Sequence, residues 1–313
     1  FDVDPATLPA YPAFDLNYPD RQQRQAPVAA VNVSLRNFWT FSHCNLRAAI
    51  AERNSPIGRA PSAVVQLPYE HELLVALRRC AESLDREVAT AEFLEVLNTV
   101  SAQKLDNGDA AFWNGTFGSA EFASLFSTSV SRLSLDGADT YLPLEELRYF
   151  LLAHDSFGQP DSVLTRERLA EAYQGLELSR FGGRLIKSLD EANFYLGEIN
   201  RLFSEHSDPE RLCPMRAPTR RVRELDGALR RYHIRILQPY LAEIGRRGRP
   251  WLESVTALAE KQSSVMPAGF QPFYRQYLDT QQPEGIWQIH VELVRRHATN
   301  WSALLDHCGI ALR

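Results

Sequence analysis

The chain has almost no lysine. Of the 34 basic residues among its 313, all but Lys104, Lys187 and Lys261 are Arg. That imbalance reads mainly as codon bias of a GC-rich genome and is weak evidence for special guanidinium chemistry. The basic residues are outnumbered by 39 acidic ones, leaving a net charge of −5. This balance excludes a nucleic-acid binder held by bulk positive charge. No apolar run reaches the length of a bilayer-spanning helix. No Cys-x-x-Cys pair occurs, which excludes a zinc ribbon or a thioredoxin-type motif. The chain also lacks a Gly-x-Ser-x-Gly elbow, a Walker-type phosphate loop and a Gly-x-Gly-x-x-Gly turn. Alternating strand-like runs are scarce.

Helical spacing dominates what is present. Leu35, Phe38, Trp39, Ser42, Leu46, Ala49 and Ile50 step by three and four, and Asn54-Ser55-Pro56 with Gly58 stops that helix. Leu73, Leu74 and Leu77 belong to a second helix that Pro68 is placed to open at its first turn. Further helices are marked by Phe93 to Leu97, by Leu144 to Leu151 after Pro143, and by Leu185 to Phe203. Val222, Leu225, Leu229, Tyr232 and Ile236 form a seam for packing on a neighbour, with Pro239 expected to kink or end the helix. A last helix runs from Ile286 past Leu304 and closes at Gly309. The expectation is a mainly α, single multi-helix domain over residues 31–313.

Residues 1–30 differ. They carry five prolines and no periodic pattern, so they should be extended, as a tail or tether. A purely solvated linker has little use for Phe1, Tyr11, Phe14 and Tyr18, so the tail should dock on the domain or on a partner. Four cysteines, Cys44, Cys80, Cys213 and Cys308, allow buried thiols or three disulfide pairings. Counted outward from the loop at 54–68, Cys44 and Cys80 fall at similar heights on two antiparallel helices. A Cys213–Cys308 bridge would pin the C-terminal helix. Pairing 44–80 and 213–308 is therefore preferred, giving a disulfide-stapled domain.

Two strings carry a likeness. One is Cys44-Asn45-Leu46, then Ala51-Glu52-Arg53-Asn54-Ser55-Pro56-Ile57-Gly58-Arg59, Pro61-Ser62 and Tyr69-Glu70. The other is Phe112-Trp113-Asn114-Gly115-Thr116-Phe117-Gly118. Together they resemble a family of bacterial envelope proteins, domain of unknown function 3080. The resemblance implies a lipoprotein with its signal peptide removed, periplasmic and lipid-anchored at the outer membrane through an N-terminal Cys that this chain does not carry. Membrane attachment would then be peripheral, through that anchor alone. It implies no known activity, and its oxidising address favours disulfides.

Few constellations suggest chemistry. His71-Glu72 lacks the second His of a zincin, since position 75 is Val. His290 and His297 are two helical turns apart, about 10 Å, too far to share one metal. His206 with Glu205 and Asp208 reads as a solvated helix end. Gly182-Gly183-Arg184 reads as a helix-entry turn before an anion cradle. No metal or cofactor is expected. Trp113 and Phe117 read as core anchors.

Two patches stand out as candidate binding residues. The first is the loop with Arg53, Asn54, Ser55 and Arg59, whose Arg forks could meet an anion or a partner. The second is the stretch 216–249, where ten Arg face three acidic residues, a local +7 against −12 elsewhere. Within it Arg220, Arg223, Arg230 and Arg231 should lie away from the apolar seam. The leading expectation is a binding or scaffolding module that recognises another envelope protein or an anionic envelope component. A hydrolase of envelope polymers with unassigned carboxylates is the alternative, and nucleic acid is not expected as a partner.

Overall fold

The computed structural model describes residues 9–31, 44, 46, 51, 62–83, 90–134 and 141–311. Among them every regular element is a helix. The principal ones are α1 (Ala63–Ser83), α2 (Ala91–Asp106), α3 (Gly108–Gly115), α4 (Leu144–Asp155), α5 (Arg166–Ser179) and α6 (Phe181–His206). They are followed by α7 (Arg220–Ala228), a π-helical segment (Leu229–Leu237), α8 (Gln238–Glu260) and α9 (Ile286–His307). The mainly α expectation holds.

Local chemistry sets most helix starts. Thr90, Thr165 and Thr219 accept hydrogen bonds from the backbone N–H three residues on, which satisfies donors that a helix start leaves unpaired. Two prolines, Pro68 and Pro239, behave differently from the sequence expectation, and a third stands inside a helix. Pro68 does not open α1; the helix begins five residues earlier, and Glu121 accepts from Ser62 Oγ and the Ala63 N–H at its start. Pro250 lies inside α8. Pro239 neither ends nor breaks its helix. The preceding segment widens to π geometry, and the Gln238 N–H bonds the His233 carbonyl five residues back. A wider turn accommodates a ring that would collide with a carbonyl four residues behind it in α geometry.

The main core gathers around fully buried Trp113, Phe117, Phe126, Phe150, Phe181, Trp251 and Phe270. Close packing explains the glycines at the start of α6. A Cβ on Gly183 would fall 2.0 Å from the Ser127 carbonyl oxygen, and its N–H already donates to the Leu125 carbonyl. Gly182-Gly183 is a packing contact, with the Gly183 N–H spent on a backbone carbonyl.

The long helices α6 and α9 lie side by side and run parallel. Asn193 Nδ2 donates to the Ile286 carbonyl and Asn200 Nδ2 to the Leu293 carbonyl, each at 3.0 Å. The two bonds are seven residues apart on both helices, so they fix one register over two turns.

Two satellite clusters flank the core, each built around a disulfide. Cys44–Cys80, with Cα atoms 5.3 Å apart, sits among Tyr69, Leu73, Leu77, Phe93 and Leu97. Cys213–Cys308, Cα atoms 5.4 Å apart, sits among Phe203, Leu212, Val222 and Leu304. The expected pairing is the observed one, and no described cysteine is left as a thiol.

Candidate functional site

The Pro-rich segment 9–31 docks along the helical body. Tyr11 stacks edge-on against Phe194 and donates to Asp190 at 2.7 Å. Leu16 is buried. Tyr18 stacks on Phe126, meets Phe270 and Phe273 edge-on and donates to the Phe117 carbonyl at 2.8 Å. Burial among these rings pushes its phenol well above the ordinary range. A single turn, Arg21–Arg24, closed by an Asp20/Gln23 capping box, interrupts what the sequence suggests is wholly extended chain. Gly269 permits the approach: a Cβ there would lie 2.8 Å from the Gln23 carbonyl oxygen.

Much of this docking is done by the second of the two signature strings. Trp113 Nε1 donates to the Arg24 carbonyl at 2.7 Å. Asn114 accepts from the Ala26 N–H and donates to the Ala26 carbonyl, at 2.8 and 2.9 Å. Arg24 Nε donates to the Gly118 carbonyl at 3.1 Å. From the other side the buried Tyr173 hydroxyl donates to the Gly115 carbonyl. The rings of Trp113 and Phe117 are core anchors, as expected, and the polar groups between them clamp the tail.

The Arg-rich arm is partly self-neutralised. Arg220 pairs with Glu224 and Arg230 with Asp226, each at 3.0 Å over one helical turn. Arg230 also reaches the Ala311 carbonyl, and Arg223 donates to the Pro218 carbonyl. Arg247 is buried beneath the Phe181 ring and beside Glu243. Arg216, Arg231 and Arg235 are exposed. The seam expected at Val222–Ile236 holds only in part. Val222 and Leu229 are buried, but Tyr232 and Ile236 are 59% and 49% exposed. Through the π segment a turn takes more than 3.6 residues, so spacing by three and four no longer returns to one face. Arg231 therefore shares an exposed segment with apolar side chains and does not oppose a buried seam. Arg53, Asn54, Ser55 and Arg59 lie outside the described residues.

Beside this arm is a cavity of about 550 Å³, between α6 and the junction of the π segment with α8. Leu133, Leu196, Ile199 and Leu237 supply apolar wall, and Tyr195 and Tyr240 supply rings. Arg132 also lines it, hydrogen-bonded to Glu191. Burial raises the Tyr240 phenol, while Ser188 and the Arg132 charge pull it back. Sequence periodicity does not find this cavity, because its wall depends on the π-to-α transition at Pro239.

A second hollow, about 590 Å³, lies beside the Cys44–Cys80 bridge. His71 lines it, is buried and accepts the Gly158 N–H at Nδ1, 3.0 Å away. Its neighbour Glu72 pairs with Arg166. His290 and His297 are buried structural histidines: His290 Nδ1 meets Asn193 Oδ1 at 2.9 Å, and His297 Nε2 meets His233 Nδ1 at 3.2 Å. Among the described residues no group of three or more His, Cys, Asp or Glu is placed to hold a metal. No described helix is long and apolar enough to cross a membrane. Asp190 is engaged by Tyr11 and Glu191 by Arg132, and Lys261 holds Asp155 below the usual range as Arg295 and Arg296 hold Glu292.

Fold and site define a helical domain, stapled by two disulfides, with a docked proline-rich strap and an apolar cavity next to a cationic arm. The family model for a protein of unknown function, DUF3080, matches residues 2–312, and the chain belongs to that family. No curated protein and no solved structure matches it.

Proposed function

We propose that this domain is a binding or scaffolding module of the bacterial envelope, at home in the periplasm and carried at the outer membrane by a lipid anchor on its precursor. It recognises an anionic envelope component or the acidic face of another envelope protein. The observation that carries this reading is the arm itself. Exposed Tyr232 and Ile236 share one helical segment with exposed Arg231 and Arg235, in a chain that is acidic elsewhere. An apolar contact flanked by guanidinium forks suits an acidic, partly apolar surface. Two disulfides support an oxidising compartment.

The test is crosslinking and pull-down from intact envelopes with the full chain. Wild type should recover one stoichiometric species, and recovery should fall with salt. The double variant Arg231→Glu/Arg235→Glu should recover at least tenfold less while melting normally. Undiminished recovery by that variant would refute the arm as the binding element. Arg53→Ala and Arg59→Ala should likewise leave thermal unfolding unchanged; if recovery falls, that loop shares the interface.

A further inference from the structure

The cavity between α6 and the Leu237–Tyr240 junction differs in kind from the exposed arm. It is concave, and its size falls within the range of small-ligand sites, about 300–1,000 Å³. Its walls are aliphatic or aromatic over most of their extent, and its charged groups, Arg132 and Glu191, are paired with each other, with Ser131 and Ser134 flanking Arg132 in sequence. An apolar chamber with one charged pair in its lining matches a ligand with an apolar body and a polar head.

Charge near Arg132 selects the sign of the head. The segment 130–134 is held by two further cations: Arg184 donates to Ser131 Oγ at 2.9 Å and Lys187 to the Val130 carbonyl at 3.1 Å. In the lining Arg132 meets the single carboxylate of Glu191, and Arg184 and Lys187 add positive charge on the segment that carries Arg132. The bond from Arg132 to Glu191 occupies one of the five N–H donors a guanidinium carries, and the Arg132 side chain is 59% exposed. Its remaining fork can receive a second acid. The half-buried Tyr240 ring, close enough to feel the Arg132 charge, continues the wall from this fork.

We propose that this cavity holds the single alkyl chain of an amphiphile whose terminal anionic group binds Arg132. The proposal rests on the module reading above and names a chemical class for the anionic component. A fatty acid and a lipid-derived alkyl phosphate share this chemistry.

The experiment is calorimetric titration of the full chain with octanoate, decanoate, dodecanoate, dodecyl phosphate and dodecanol, each below its micelle concentration. Affinity should rise up to about fourfold per added methylene, as expected for apolar surface leaving water. Either dodecyl anion should bind at least tenfold more tightly than dodecanol. A preference for the phosphate assigns a lipid headgroup as source, and a preference for the carboxylate a free fatty acid. Arg132→Gln should erase the preference for anions and keep the chain-length dependence. Ile199→Trp, at a partly exposed wall position, should abolish binding of all five with the melting temperature retained. Equal binding of anion and alcohol would overturn the head assignment. Absence of binding by wild type, or full binding by a folded Ile199→Trp, would overturn the proposal. Capture through Arg231 and Arg235 in intact envelopes would still stand in that event, so the two readings fail separately.

Discussion

Asn114 shows how one side chain can decide where a segment of chain lies. Its amide is the complement of a peptide unit, and it bonds both the N–H and the carbonyl of Ala26. Ala cannot replace either bond, and the backbone groups left behind are partly shielded from water. Asn114→Ala should therefore cost about 1–3 kcal/mol, read from urea unfolding. It should also expose the segment near Arg24 to limited proteolysis well before the helical body is cut. Unchanged proteolysis would mean that the other contacts of the strap, among them those of Tyr18 and the Trp113–Arg24 bond, hold it without Asn114. The sequence indicates that Trp113 and Phe117 are core anchors, since large rings beside a Gly-rich turn seldom sit in solvent. It does not indicate that Asn114 matters, because a peptide-mimicking amide is recognised only when its peptide is beside it.

Histidines act at the scale of whole elements, because two of the buried ones each join two helices. His290 links α9 to Asn193 of α6, and His297 links α9 to His233 of the π segment. Burial lowers both to about 4, with the His233 ring adding to the effect at His297. Both folded values lie below the unfolded value of 6.5, so between these limits the unfolded chain binds more protons. The stability tied to neutral rings is fully present above about pH 6.5 and is lost as pH falls towards 4. Urea midpoints should drop over that window by the equivalent of about 4 kcal/mol, and His290→Gln should remove roughly half of the dependence. A flat profile between pH 6.5 and 4 would contradict neutral buried rings. Element identity is largely legible in the sequence here. The runs from Leu185 to Phe203 and from Ile286 to Leu304 are single helices because their apolar stripes keep one period throughout. The segment 222–236 is not legible, because Pro239 converts its end to π geometry and turns Tyr232 and Ile236 outward.

Across the whole molecule, the two disulfides stand where the main core does not reach. Each is surrounded by its own small cluster, and a cluster of that size buries too little apolar surface to hold a chain end alone. The bridge Cys213–Cys308 spans 95 residues of sequence, and chain entropy assigns such a closure about 4–5 kcal/mol. The pair Cys213→Ser/Cys308→Ser should lower unfolding free energy by up to that amount and loosen the end of α9, seen as faster amide exchange past Trp301. Exchange confined to the N-terminal half would show that the bridge does not hold this end. Mass mapping without reductant should find no free thiol.

Composition and periodicity alone determined that this chain is helical, and cysteine spacing favoured the pairing that forms. Periodicity depends on neighbours in sequence, and spacing along the chain carries it. Where the strap lies, which face of the Arg-rich arm meets solvent and where a cavity opens were decided only by the tertiary structure. Each depends on groups about ninety residues apart meeting at hydrogen-bond distance, or on a proline widening a helix by one residue per turn, and no local pattern encodes either.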